Sequence, residues 1–328
     1  MKNTNIMKKV IFALAAVVAL AACSKEQTVV ADRGDAIGFD SFIENATRVT
    51  GKEFTTVDSF QVWGTVKGNA MTSPMSLYNG ALVERNNAVD GAAFKCHQTE
   101  YWLPSAEYNF VALAGHSGVT PTTGMPETIS YTADGETDLI YTTDGETVKT
   151  NSQSVPEEGV NGNGCVAFNF NHLLSKVHFK FTNASKSANY KFIIKDIKVS
   201  GQYTSGTYTI GATTPWAATG AVVVDDAWSF GTTGTTAIAQ NKDATSDNAL
   251  LFIPGKQKLT ISFTRELWVA DETSPRSTDI ITSEEPLEVD LKENGAYTIS
   301  VTLDAGTAIS FTLDALGGWD NKTDISIP

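Results

Sequence analysis

Apolar and polar residues alternate with period two along most of this chain. Ile37 and Phe39 lead one run, with Ile43 in the same parity, and Phe60, Val62 and Val66 share a face in the next. Further on, Leu259, Ile261 and Phe263 alternate with Thr260, Ser262 and Thr264. Leu287, Val289 and Leu291 precede Asn294-Gly295, and Tyr297, Ile299, Val301 and Leu303 follow it. Two alternating runs joined across Asn-Gly predict a hairpin. Ile309, Phe311 and Leu313 alternate once more near the C-terminus. Period two puts alternate side chains on one face of a strand. No stretch beyond the first two dozen residues sustains a helical period, so the pattern predicts an all-β protein of packed sheets, each with one apolar face.

The first residues depart from that pattern. Lys8 and Lys9 precede an unbroken run of apolar or small residues from Val10 to Ala22. A bilayer span takes about 20 apolar residues, so this shorter run behind lysines predicts a signal peptide. Leu20-Ala21-Ala22-Cys23 resembles the lipobox of bacterial lipoproteins. The resemblance implies cleavage before Cys23 by signal peptidase II and lipid on its thiol. Each buried acyl CH₂ then contributes roughly 0.8 kcal/mol to anchoring. The chain is thus expected at the outer membrane and cell surface, in contact with the membrane through lipid only.

Removing residues 1–22 from 328 leaves 306, and taking Lys2, Lys8 and Lys9 from 24 basic residues leaves 21 against 37 acidic ones, a formal charge of −16. Such a surface repels phosphate backbones, which argues against a nucleic-acid partner. Residues 24–35 are polar and unpatterned, a tether between lipid and fold. Residues 148–165 hold Pro156, several Asn and Gln residues and glycines, with little apolar content, and mark the expected domain junction. The division is signal peptide 1–22, lipidated leader with the first strand 23–50, an N-terminal β-sandwich 51–160 and a C-terminal one 161–328. Just before the junction, Tyr131-Thr-Ala-Asp-Gly-Glu-Thr is echoed by Tyr141-Thr-Thr-Asp-Gly-Glu-Thr. Each Asp-Gly suits a tight turn, and the carboxylates lack the dense spacing of a calcium loop. An oxidising compartment permits a Cys96–Cys165 bridge, but two buried free thiols are the expectation.

Motifs for chemistry are missing. There is no phosphate-cradling glycine loop, Gly-x-Ser-x-Gly elbow or His-Glu-x-x-His pair. Cys96-His97 is too compressed to give one zinc two ligands. Asp225-Asp226 and Glu284-Glu285 are adjacent, so within a strand their carboxyls point to opposite faces and form no acid–base pair. His172 is expected as a hydrogen-bonded structural residue, at a bend where the apolar parity shifts from Phe168 and Phe170 to Val177, Phe179 and Phe181. Of six tryptophans, Trp216 and Trp228 lie in Gly/Thr/Ala-rich sequence and are the expected exceptions to burial. No enzyme, cofactor, metal or catalytic residue is therefore expected.

Several blocks in order resemble the fimbrillin family of Bacteroidetes, the subunits of type V pili and related surface lipoproteins. They are Ala36-Ile37-Gly38-Phe39 leading to Ala46-Thr47-Arg48-Val49-Thr50, then Phe60-Gln61-Val62-Trp63-Gly64, and Tyr101-Trp102-Leu103-Pro104 with Tyr108-Asn109-Phe110. Asp138-Leu139-Ile140-Tyr141 follows, then Phe168-Asn169-Phe170-Asn171-His172-Leu173-Leu174-Ser175-Lys176-Val177, and finally Ile309 to Leu313 running to Gly317-Gly318-Trp319. The resemblance implies two tandem transthyretin-like β-sandwiches and a fimbrial subunit that polymerises by strand addition to other pilins. It also implies an arginine-specific protease cutting between Arg48 and Val49, releasing the leader strand with Ile37, Phe39 and Ile43. The donor strand of the next subunit would carry Ile309, Phe311 and Leu313, or Ile325 and Ile327. The tail after Trp319 is short and ends in Pro328, which leaves a stalk, tip or anchor role open. The alternative is a monomeric outer-surface lipoprotein that binds a glycan or protein ligand.

Overall fold

The computed structural model describes residues 35–43, 59–85, 94–115, 125–142, 145–161, 164–305 and 309–318. Apart from a short 3₁₀ turn at Val224–Asp226, every regular element among them is a strand. The first ten strands are β1 (Gly38–Ile43), β2 (Ser59–Gly68), β3 (Met75–Arg85), β4 (Phe94–Cys96), β5 (Ala106–Gly115), β6 (Thr128–Thr132), β7 (Leu139–Tyr141), β8 (Glu146–Thr150), β9 (Pro156–Glu158) and β10 (Cys165–His172). Nine of them form one sheet in the order β2-β3-β4-β1-β10-β7-β5-β8-β9, and β2 also pairs with β5. That extra pairing closes seven strands into a ring, which removes the open edges a flat sheet would present. Inside it pack Phe39, Phe60, Val62, Tyr78, Phe110 and Phe168, all with 2 % exposure or less. The Phe60, Val62 and Val66 face points into this core, as alternation requires. Gly64 lies on the same strand where a Cβ would come within 2.7 Å of the Phe110 ring, so only glycine admits that ring.

The remaining strands are β11 (Ser175–Asn183), β12 (Tyr190–Ser200), β13 (Ser205–Thr209), β14 (Trp216–Thr219), β15 (Trp228–Gly231), β16 (Asp243–Thr245), β17 (Leu250–Phe252), β18 (Gly255–Val269), β19 (Ser277–Thr282), β20 (Leu287–Leu291), β21 (Gly295–Leu303) and β22 (Ser310–Gly318). One sheet runs β16-β11-β21-β22 with β17 also on β11, and another runs β15-β12-β18-β19 with β20 also on β18. A second core, with Phe179, Phe181, Ile194, Ile261, Ile299 and Val301, draws on both sheets.

The Asn294-Gly295 hairpin does not form. β20 pairs with β18, whereas β21 pairs with β11 and β22, so the turn carries the chain between sheets. A two-residue type I′ hairpin needs positive φ at both central residues, and here only Asn294 has it, at 53°. The Asn294 N–H is instead donated to Leu174 O at 3.1 Å. Alternation on either side of the turn holds, because both strands turn their apolar faces to the same core.

The passage from the first sheet to the next occurs at Leu173-Leu174, both buried, between β10 and β11. Residues 148–165 do not separate the sheets: they hold the end of β8, all of β9 and the first residue of β10, three strands of the first sheet. The parity shift after Phe170 is thus a change of sheet rather than a bulge within one strand. A three-stranded sheet, β14-β13-β6, spans the same region. It contributes to a third core with Trp63, Tyr131, Leu173, Leu174, Tyr208 and Leu251. His172 Nδ1 lies 2.5 Å from Asp138 Oδ2, with both side chains buried beside this crossing.

His178 on β11 meets Thr298 Oγ1 of the parallel neighbour β21 at 2.9 Å. Burial, with Lys176 and Lys180 on the same strand, lowers its pKa from 6.5 to about 4. The folded imidazole stays neutral where the unfolded one takes up a proton, so its contribution is unimpaired above pH 6.5. The contribution of His178 to stability is expected to fall as pH drops from 6.5 to about 4 and then to level. The loss is on the order of 3 kcal/mol. His178→Gln, which keeps a partner for Thr298, is expected to flatten that part of a denaturation-midpoint-against-pH curve. An unchanged slope would refute the assignment.

Candidate strand-exchange site

β1, which holds the expected leader residues Phe39 and Ile43, is an interior member of the ring. It runs parallel to β10, from Gly38 opposite Cys165 to Ile43 opposite Phe170, and meets β4 antiparallel at Phe39 opposite Phe94. Upstream, Ile37 N–H is donated to Glu100 O at 2.9 Å and Trp102 N–H to Asp35 O at 3.2 Å. Side-chain alternation then fixes the faces: Ile37 and Phe39 enter the core with 5 % and 0 % exposure. The Phe39 ring stacks on Phe168 at 5.8 Å and meets Tyr78 and Phe110 edge-on at 5.4 and 5.8 Å. Aromatic pairs of this geometry add about 0.5–1.5 kcal/mol each beyond area burial.

Gly38, between those two residues, faces the other way. A Cβ there would sit 2.8 Å from Cys165 Sγ, so glycine lets the leader lie against β10. Asp40 on the same strand accepts a hydrogen bond from Asn161 Nδ2 at 3.1 Å. A cavity of about 480 Å³ opens at the N-terminal end of β1, walled by Asp35, Gly38, Trp102, Gln153, Val160 and Cys165.

Ile43 lies in β1, opposite Phe170. Ile309 precedes β22, where Phe311 and Leu313 pair with Val301 and Ile299 of β21. All three are half-buried against the second core, with β22 ending its sheet. Cys23, Arg48, Val49, Ile325 and Ile327 lie outside the described residues. Cys96 and Cys165 lie on the two strands that flank β1 and are not joined by a disulfide. Burial raises the pKa of both, and nearby Asp40 adds to the effect at Cys165.

Sequence reading missed β4, the strand closing the far side of the leader. At three residues it is too short for a period to register, and Phe94 was its one apolar signal. Trp216 and Trp228 are not exposed platforms. Both are half-buried, with Trp216 Nε1 donating to Leu173 O at 2.9 Å and Trp228 edge-on to Phe252. At the repeated Asp-Gly, Asp134 Oδ1 accepts the N–H groups of Glu136 and Thr137 at 2.9 and 2.8 Å, a local turn. Among the described residues no group of three or more His, Cys, Asp or Glu is placed to hold a metal.

The architecture is that of an all-β protein whose first strand among the described residues is built into the middle of a sheet. A family model described as fimbrillin-like matches residues 47–315, and the chain belongs to that family. Membership of that family supports a fimbrial or adhesion role. The fold is similar to that of a fimbrial protein from Bacteroides vulgatus, with 14 % identity, coverage of 88 % of this chain and 99 % of that one, and a TM-score of 0.59. Weaker likenesses include a candidate cell adhesion protein from Bacteroides ovatus (17 % identity, 87 % and 98 % coverage, TM-score 0.48). Another is the fimbrial anchor protein Mfa2 from Porphyromonas gingivalis (12 % identity, 86 % and 97 % coverage, TM-score 0.36). No curated protein matches the chain.

Proposed function

We propose that this chain is a pilus subunit, exported as a lipoprotein on Cys23 and assembled at the outer surface by exchange of its leader strand. Cleavage after Arg48 frees β1 and severs the lipid anchor in one step. A strand from the next subunit, carrying Ile309, Phe311 and Leu313 or Ile325 and Ile327, then fills the groove, and the polymer supports adhesion. The observation that carries this reading is the position of β1. It is paired on both sides and places Phe39 among three rings, so its removal opens a gap between β4 and β10. Unpaired backbone on both walls would recruit a strand, and alternate pockets would set its register. A division of the mature chain at Leu173-Leu174 belongs to the same reading, with the groove wholly in the first unit.

The test is intact mass and N-terminal sequencing of protein taken from the cell surface. A chain starting at Val49 without lipid supports exchange. A chain that starts at acylated Cys23 even within fibres would overturn it.

A further inference from the structure

We infer that the open edge of β19 is an interface between two copies of this chain, joined antiparallel about Ile280. This goes beyond strand exchange at β1 and involves neither the leader nor Arg48.

β19 ends the sheet β15-β12-β18-β19, and among the described residues it pairs with β18 alone. Its six residues pair from Ser277 opposite Leu267 to Thr282 opposite Ser262 without a register shift. The ladders of β15 and β22, which also end sheets, each contain a shift, β16 has only three residues, and the unshifted edge strands β6, β14 and β20 are shorter at five, four and five residues. Natural edges are blunted by bulges, prolines or lysines, and Ser-Thr-Asp-Ile-Ile-Thr has none of these. Its one charge, Asp279, is bound to Arg265 Nη2 at 3.0 Å. Ile280, at 81 % exposure, is the most exposed large apolar side chain among the described residues.

The register follows from the hydrogen bonds. Ser283 N–H is donated to Ile261 O at 2.8 Å, and this pair extends the β18–β19 register. Bonds to β18 therefore fall at odd positions, and the N–H and C=O groups of Thr278, Ile280 and Thr282 point to the open edge. On the exposed face Thr278, Ile280 and Thr282 read the same in both directions. An antiparallel second copy sets Ile280 on Ile280 and Thr278 on Thr282, forming about six main-chain bonds across the two-fold axis. Apolar and Thr–Thr cross-strand pairs are favourable ones. Asp279 then faces Ile281, so the acids do not meet. This self-complementarity is what singles out a second copy as the occupant.

The test uses the full chain carrying Arg48→Ala, which keeps pilus-type polymerisation out of the measurement. Sedimentation over rising concentration should show a monomer–dimer equilibrium. Ile280→Pro removes an N–H that β18 does not use and should abolish the dimer while leaving the circular dichroism unchanged. Ile280→Lys, which sets like charges opposite each other, should do the same. Under mild oxidation Ile280→Cys should cross-link to itself above the parent background. Thr282→Cys should not, but should cross-link with Thr278→Cys. A monomer at every concentration, a dimer surviving Ile280→Pro, or self-linking of Thr282→Cys as readily as Ile280→Cys would each overturn the inference.

Discussion

Arg48→Ala is expected to reduce polymer to background and leave a surface chain that starts at acylated Cys23. The reason lies in competition for one groove. While the 48–49 bond is intact, β1 is tethered to the sheet it fills, at an effective concentration on the order of millimolar or higher. A donor from another molecule competes from dilute solution against six residues of parallel ladder to β10 and a fully buried Phe39. Cutting the bond removes the tether, and a displaced leader can diffuse away. The measurement is a denaturing gel without boiling, on which strand-inserted polymers persist as a ladder. Arg48→Lys should behave like Arg48→Ala if the protease is arginine-specific, and a lysine-cutting protease added to it should restore the ladder. Normal polymer from Arg48→Ala would show that the proteolytic trigger is wrong.

Phe39→Ala in the uncut chain is expected to weaken the leader's hold by about 3–5 kcal/mol, the range for emptying a fully buried aromatic site. Collapse is difficult because Tyr78 and Phe110, two of Phe39's ring neighbours, are held in the β2–β3 and β2–β5 ladders. The effect should be local. Exchange of the β1 amides with deuterium should speed by orders of magnitude, while amides of β11 and β21, which pack around the other core, keep their protection. Phe39→Leu, which retains much of the volume, should fall well short of that loss. Equal loss of protection in both sheets would mean that the leader supports the whole molecule rather than one groove.

Much of this fold was legible in the chain. The β class, the inward faces of β2, β18, β20 and β21 and the inward placement of Ile37 and Phe39 all follow from alternation. Partners were not legible. Leu287 to Leu291 and Tyr297 to Leu303 looked like one hairpin, yet they lie in different sheets. The Asn- and Gly-rich segment looked like a junction, yet the first sheet continues beyond it through β10. Cys96 and Cys165 form no disulfide and lie on opposite sides of β1.

The sequence by itself determined which side of each strand is apolar, because that is a property of local spacing. Only the tertiary structure decided that Gly38–Ile43 lies parallel to Cys165–His172, that the short β4 closes its other side, and that β19 remains at an edge. A period of two states that a strand has a buried face, but it is the same for every partner. Pairing is chosen by closure of the ring and by how rings such as Phe39 and Phe168 fill a shared interior, and those contacts join residues more than a hundred positions apart.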